Sequence, residues 1–268
     1  MNTRRKCLTH FLSVPFFGLS LQAMGQIPAL RRSEMDQNWV DPERQRNVPV
    51  RLRWPDENRF IGPLPVVIFS HGLGGTREGG SVWGEAWVDA GFVVIHVQHT
   101  GSDLNAVRGV TRTFTDQRAL RTLATPEQLM ARLLDVSFVL NEIEKRHSVR
   151  QDLWQWVRPT QVGLAGHSFG AHTTMGMAGQ RYPGFEGVAE PRLASFIAFS
   201  PTVPVMGSAA EIVPRESIAR ELQAEHHARV SAITTDWWRA TLQADSQARL
   251  SLEAPKNLGV GDLWQVKK

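Results

Sequence analysis

The sequence contains very little cysteine. The 268-residue chain contains one cysteine, Cys7, and it lies in an N-terminal segment that we expect to be removed. The mature chain is therefore predicted to have no disulfide, no thiolate metal site and no cysteine nucleophile. No histidines and acids are clustered with the spacing of metal ligands. The sequence thus predicts no metal and no cofactor.

Clustered charge of one sign is also missing. The 30 basic and 26 acidic residues are mixed along the chain, with a formal net charge of +4. No basic cluster is interleaved with aromatic residues in the manner of a nucleic-acid platform. No apolar run reaches the ~20 residues that a membrane span requires. We therefore expect no nucleic-acid partner and no membrane span, while the oligomeric state stays open.

The first residues have the pattern of an export signal. Three basic residues, Arg4 to Lys6, precede a mostly apolar segment from Cys7 to Leu21, and small residues permit cleavage after Gly25. The arginine pair also partly matches a twin-arginine signal. A membrane anchor is the alternative, but the apolar run is too short for a span. We expect residues 1–25 to be a signal peptide and the mature protein to be periplasmic or secreted.

Apolar strands and amphipathic helices alternate in the remaining residues, 26–268, which are enough for one α/β domain. Strands are predicted over 48–54, 64–70, 92–97, 162–165 and 193–199, and helices over 81–90 and from a capping box at Thr125 to about His147. Residues 109–123 are predicted to be a surface loop or short helix. This alternation indicates a mostly parallel sheet with helices on both faces.

A glycine-flanked serine lies at the most informative point of the chain. Gly166-His167-Ser168-Phe169-Gly170 follows a short apolar strand and precedes a stretch of small residues suited to a buried helix. In that context G-x-S-x-G is the nucleophile elbow, where Gly166 and Gly170 remove side chains that would collide in the sharp turn. An accidental glycine turn is the alternative. We identify Ser168 as the candidate nucleophile.

A second glycine-rich loop, from His71 to Gly75, follows the strand at 64–70. Such a loop lets a backbone N–H approach a developing oxyanion without a side chain in the way. The two loops occur in the order expected for an acyl-transfer site.

These motifs resemble the α/β-hydrolases, and within that superfamily the exported esterases similar to dienelactone hydrolase and platelet-activating-factor acetylhydrolase. The matching stretches lie at 70–75, 99–103, 166–173, 199–201 and 226–245. The resemblance implies that Ser168 is the nucleophile, that the N–H groups of Leu73 and Phe169 form the oxyanion hole, and that the substrate is a small-molecule or lipid-like ester. True dienelactone hydrolases use cysteine at the elbow, so Ser168 favours ester chemistry.

The sequence departs from this family where a catalytic acid and histidine are expected. Residues 202–225 contain no aspartate and no histidine. The fold is therefore predicted to be shortened after about residue 201 and to lack the last strands, which carry both groups. His226 and His227 are the only histidines beyond the elbow helix, and we take them as candidate bases, with Asp236 and Asp245 as possible orienting acids.

Two functions stay open at this point. One is a serine ester hydrolase acting on short-acyl or polyester-like esters. The other is a catalytically impaired hydrolase that keeps the nucleophile but lacks the triad acid and histidine. We also expect the C-terminal helix to pack against the sheet edge through Ile233, Trp237 and Leu242, with Trp237 and Trp238 as anchors.

Overall fold

A computed structural model of the protein describes residues 33–56, 62–182, 187–200 and 220–255, with side chains from residue 225 in the last stretch. The predicted signal peptide lies outside these residues. The described strands are β1 (Ser33–Asp41), β2 (Arg46–Trp54), β3 (Leu64–Ser70), β4 (Val93–Val97), β5 (Val157–His167) and β6 (Leu193–Phe199). The described helices are α1 (Ser81–Asp89), α2 (Leu104–Val110), α3 (Gln117–Arg121), α4 (Pro126–Ser148), α5 (Phe169–Met177), α6 (Arg220–Leu242), α7 (Ser246–Glu253) and a 3₁₀ helix at Asp152–Trp156.

The strands form one sheet in the order β1-β2-β4-β3-β5-β6. β1 and β2 are antiparallel to their neighbours, whereas β4, β3, β5 and β6 are parallel to one another. Ser70 at the end of β3 pairs with Val97 of β4 and with Gly166 of β5. The carboxyl ends of the central strands therefore lie at one level, where open α/β sheets bind their ligands.

Helices cover both faces of the sheet, as the sequence predicts. Alternate residues of the central strands point to opposite faces, so that Ile68 packs with α4 and α5 while Phe69 packs with α1 and α6. α4 begins as predicted, because the Thr125 hydroxyl accepts a hydrogen bond from the N–H of Gln128. The fold class predicted from the sequence is confirmed.

Two parts of the chain differ from the prediction. β1 was not predicted, because most of its side chains are exposed and give no apolar period. It pairs with β2 along its full length, from Ser33 opposite Trp54 to Asp41 opposite Arg46. Residues 109–123, predicted as a loop or one short helix, contain the end of α2 and all of α3.

The C-terminal helix α6 packs on a face of the sheet and not at its edge. Trp238 is fully buried, lies edge-on to Trp87 of α1 at 5.8 Å, and covers Gly163 of β5 so closely that a Cβ there would be 2.5 Å from its ring. Trp237 is 36% exposed and donates its indole N–H to the Ser195 hydroxyl at 2.8 Å. The prediction that Trp237 belongs to the buried stripe of α6 was therefore wrong, because Trp238 is the buried tryptophan of this helix.

No strand follows β6 within the described ranges, in which α6 is the next element after β6. Residues 201–219, where the shortening is predicted, fall outside the described ranges. Of the helices that the structure describes, none has the length and apolar character to cross a bilayer.

Candidate active site

Ser168 occupies the sharp turn between β5 and α5. Its φ is 55° and its ψ is −115°, a conformation that a residue with a side chain adopts only under strain. Its backbone N–H donates to the Phe199 carbonyl at 3.0 Å, which ties the turn to the end of β6. The hydroxyl group is thereby placed at the carboxyl ends of the parallel strands, with a helix starting at the next residue.

The two glycines of the motif are required by close backbone approach. A Cβ on Gly166 would lie 2.1 Å from the Gly170 carbonyl oxygen, and a Cβ on Gly170 would lie 2.0 Å from the Ser70 carbonyl oxygen. Both neighbours are backbone atoms, so neither can rotate away. The elbow therefore forms only with glycine at both positions.

The loop from His71 to Gly75 lies beside the serine. A Cβ on Gly72 would be 3.4 Å from the Cβ of Ser168, so this loop and the elbow are in van der Waals contact. Among the described residues, neither the Leu73 N–H nor the Phe169 N–H donates a hydrogen bond. Two free donors therefore flank Ser168, as an oxyanion hole requires. Their catalytic role stays a prediction.

A cleft of about 340 Å³ opens in front of the serine. Its size is at the lower end of the range for small-molecule pockets. Trp83 of α1 forms one wall and stacks on Phe199 at 4.4 Å. The lining consists of the glycine-rich loop and a few rings: Phe69, His71, Gly72, Leu73, Gly74, Gly75, Gly79, Gly80, Trp83, His167 and Ser168.

The two candidate bases lie near this cleft without reaching the serine. The His227 ring is edge-on to Trp83, with centroids 6.5 Å apart, and the His226 ring lies 6.4 Å from that of His227. Every histidine except His10 is described, and none of them forms a hydrogen bond with the Ser168 hydroxyl. Whether either acts as the base stays a prediction.

The two possible orienting acids have local structural partners. Asp236 accepts a hydrogen bond from the Ser251 hydroxyl at 2.8 Å, and Asp245 caps α7 by accepting from the N–H groups of Gln247 and Ala248. Neither is hydrogen-bonded to His226 or His227 in the described part of the chain. Within the described ranges, the structure therefore does not bring together a complete triad around Ser168.

A different serine, histidine and aspartate are hydrogen-bonded in series beneath the cleft. The Ser70 hydroxyl lies 2.9 Å from His99 Nε2, and His99 Nδ1 lies 3.0 Å from Asp135 Oδ2. All three side chains are fully buried, so they cannot touch a substrate. Burial, and then the charge of Arg132, lowers the pKa of His99 to about 4, which keeps this imidazole neutral.

Asp135 is the ionised end of this series. Burial alone raises its pKa, but hydrogen bonds from His99 and Arg46 outweigh that effect and leave the pKa below its ordinary value. Arg44 also contacts its carboxylate at 2.9 Å. A negative charge is thus held in the core by three neighbouring groups.

His71 connects this buried network to the glycine-rich loop. Its Nε2 accepts the His99 backbone N–H at 3.0 Å, and its Nδ1 lies 2.6 Å from the Gly72 carbonyl oxygen. This pattern fixes a neutral ring with its proton on Nδ1. Burial, followed by the charge of Arg132, holds the pKa of His71 well below its usual range.

Sequence reasoning missed Arg132 and Asp135. Both lie on α4, whose apolar residues, including Leu129, Leu133 and Val136, were read as its buried stripe. Charged residues between such positions usually face solvent, yet both side chains are fully buried. The one available signal was their three-residue spacing, which places them on the same side of the helix.

Comparison with solved structures identifies the architecture. The chain superposes on a ferulic acid esterase from Streptomyces cinnamoneus with a TM-score of 0.52, covering 81% of this chain and 92% of that one at 15% identity. The mostly parallel sheet, the sharp turn at Ser168 and the glycine-rich loop agree with this match. The chain has the α/β-hydrolase fold.

Other comparisons are weaker or more local. A family model for platelet-activating factor acetylhydrolase, isoform II, matches residues 46–151. A cold-adapted esterase from an Arctic intertidal metagenomic library matches with 17% identity and a TM-score of 0.42, covering 62% of this chain and 59% of that one. An S-formylglutathione hydrolase from Staphylococcus aureus matches with 13% identity and a TM-score of 0.40, covering 65% and 60%. The chain thus spans about three fifths of these two enzymes, and no curated protein matches it significantly.

No group of three or more histidine, cysteine, aspartate or glutamate side chains is placed to hold a metal ion in the ranges that the structure covers.

Proposed function

We propose that this α/β-hydrolase is a serine ester hydrolase that acts on short-acyl or polyester-like esters through Ser168. The supporting observation is the strained turn at Ser168, which lies beside two free backbone N–H groups in a small cleft. The match to the acetylhydrolase family model over residues 46–151 supports the same chemistry. The modest volume of the cleft favours a short acyl group.

The proposed reaction begins with attack of Ser168 Oγ on the ester carbonyl carbon. A base accepts the hydroxyl proton, and the carbonyl oxygen becomes an oxyanion that accepts hydrogen bonds from the Leu73 and Phe169 N–H groups. Collapse of this intermediate breaks the ester C–O bond, and the leaving alcohol takes the proton from the base. Water then hydrolyses the acyl-serine by the same two steps in turn.

This reaction requires a base close to the Ser168 hydroxyl. General-base catalysis needs an imidazole within about 2.6–3.2 Å of the hydroxyl or one water molecule away. His227 is the better placed candidate, since its ring touches the Trp83 wall of the cleft. The absence of a hydrogen bond between any described histidine and Ser168 favours the second candidate function, a catalytically impaired hydrolase. On that basis we expect the chain to hydrolyse activated esters weakly or not at all.

The deciding measurement is the hydrolysis rate of p-nitrophenyl acetate by the parent and by Ser168→Ala. Ser148→Ala is a matched control, because Ser148 is exposed at the end of α4. An impaired hydrolase gives a ratio near one. A general base contributes about 10² to 10⁴-fold to the rate, so without it Ser168 adds little that Ser168→Ala could remove. A ratio above about 10³, abolished by His226→Ala or His227→Ala, would establish an active esterase and assign its base.

We also propose that the protein is exported, with residues 1–25 acting as a cleaved signal peptide, as the N-terminal charge and apolar pattern suggests. Mass spectrometry of the exported protein should find an N-terminus near Gln26, and an intact Met1 would contradict this.

A further inference from the structure

Arg132 is a buried cation with no directly contacting carboxylate in the described residues. Its side chain is fully buried on α4, and the charges of Asp135 and Asp103 act on it without a direct ion pair. The nearby Asp135 carboxylate instead pairs with Arg44, Arg46 and His99. Removing a guanidinium from water without such a partner costs stability, and burial lowers the pKa of Arg132 to about 9.

The guanidinium is hydrogen-bonded to the loop that carries Leu73. It donates to the His71 carbonyl oxygen at 2.7 Å and to the Ser102 hydroxyl at 2.8 Å, and it lies 3.5 Å from the Gly72 carbonyl oxygen. The Ser102 carbonyl in turn accepts the Gly74 N–H at 2.9 Å. Arg132 and its partner Ser102 therefore hold the loop on both sides of Leu73.

The contact with the Gly72 carbonyl bears on the direction of the Leu73 N–H. The Gly72 carbonyl and the Leu73 N–H belong to the same planar trans peptide, so they point in opposite directions. The Gly72 carbonyl oxygen accepts the Gly75 N–H at 3.0 Å and also faces Arg132 and the His71 ring. The Leu73 N–H consequently points away from these three groups.

The same guanidinium also contacts the second proposed donor residue. Its central carbon lies 4.3 Å from the centre of the Phe169 ring, in a cation–π arrangement. Phe169 is the first residue of α5, and its free N–H is the other donor beside Ser168. Arg132 is thus in contact with both segments that supply the oxyanion hole.

We propose that Arg132 is a positioning residue for the oxyanion hole: it fixes the Gly72–Leu73 peptide and the Phe169 ring relative to each other. This inference rests on the proposed ester hydrolase function, but the placement of the loop can be measured without turnover.

The test compares Arg132→Met, Arg132→Lys and Arg146→Met in the full chain. Methionine keeps much of the length without charge or donors, whereas lysine keeps the charge but not the planar fork. Arg146 is the matched control, because it lies on the same helix and stacks on the ring of Trp39 at 4.2 Å, away from the cleft. Two quantities are measured: amide hydrogen exchange, and the Ser168-dependent kinetics on p-nitrophenyl acetate.

We expect Arg132→Met to speed exchange of the Gly74 and Gly75 amides at least about tenfold more than it speeds exchange in α4. Where the parent shows Ser168-dependent turnover, kcat should fall by about 10²-fold with KM little changed, as for loss of an oxyanion-hole donor. Arg132→Lys should recover part of kcat, and Arg146→Met should change neither quantity.

The proposal is overturned if Arg132→Met leaves the Gly74 and Gly75 amides at parental rates. It is also overturned if exchange speeds up uniformly, which is the signature of a purely structural residue. A parent without Ser168-dependent turnover contradicts the proposed function, and the exchange result then decides the role of Arg132 alone.

Discussion

Ser168 holds a backbone conformation that costs on the order of 1–3 kcal/mol for a residue with a side chain. The surrounding contacts must maintain it, and they are all backbone contacts: the hydrogen bond to the Phe199 carbonyl and the close approach of Gly166 and Gly170 to neighbouring peptides. The position of the hydroxyl group therefore depends on backbone contacts.

Substitution of Gly170 is expected to disrupt this turn. In Gly170→Ala the new methyl group meets the Ser70 carbonyl oxygen, and we expect a loss of about 3 kcal/mol in the free energy of unfolding. Gly109→Ala is the control, because Gly109 is exposed on α2 with no atom within 4 Å of the added Cβ, and it should change stability by less than about 1 kcal/mol. Urea denaturation measures both, and equal effects of the two variants would show that the elbow tolerates a methyl group.

The sequence predicts residues of this site unequally. Ser168 and its glycines could be found because a sharp turn restricts residue type over a few adjacent positions. Arg132 and Asp135 could not, since their burial depends on partners from β2 and from the loops after β3 and β4. Those contacts join segments that are distant in the chain, and helical periodicity carries no information about them.

At the scale of elements, the apolar strands were predictable and the helix contacts were not. β3 and β6 have the predicted bounds because each is a continuous, mostly apolar run, and in β3 this run is buried on both faces. β1 could not be predicted because most of its side chains are exposed. For α6, adjacent tryptophans made the buried side ambiguous, and the close approach permitted by Gly163 selects Trp238.

The attachment of α6 to the sheet should therefore depend mainly on Trp238. We expect Trp238→Ala to lower the free energy of unfolding by about 3–5 kcal/mol, as for a fully buried aromatic side chain. Trp237→Ala loses one hydrogen bond to Ser195 and should cost about 1 kcal/mol. Thermal or chemical denaturation of both variants separates them, and a larger effect of Trp237 would contradict the packing described above.

For the whole molecule, three buried histidines predict a stability loss in mild acid. Burial lowers the pKa of His96 to about 3 and that of His99 to about 4, and it holds that of His71 well below its usual range. Between about pH 6.5 and pH 4 the unfolded chain therefore binds protons that the folded chain does not. Stability is retained above this window and falls as pH decreases through it, by about 2 kcal/mol per histidine at about pH 5.

Denaturation at several pH values measures this dependence. His96→Gln should reduce its slope by about 1.4 kcal/mol per pH unit, whatever its effect on stability at neutral pH. An unchanged slope in His96→Gln, or a parent stability independent of pH in this range, would show that these rings become protonated in the folded state.

The contact between Trp238 and Gly163 also determines where the pair His226 and His227 lies along the direction of β5. α6 runs opposite to β5, because Trp238 lies over the middle of that strand while His227 lies against the cleft wall at its carboxyl end. From Trp238 to His227 the helix rises about 17 Å, and from Gly163 to Ser168 the strand also rises about 17 Å. The two residues therefore lie at the same end of the sheet, and His227 borders the space that the Trp83 ring also borders.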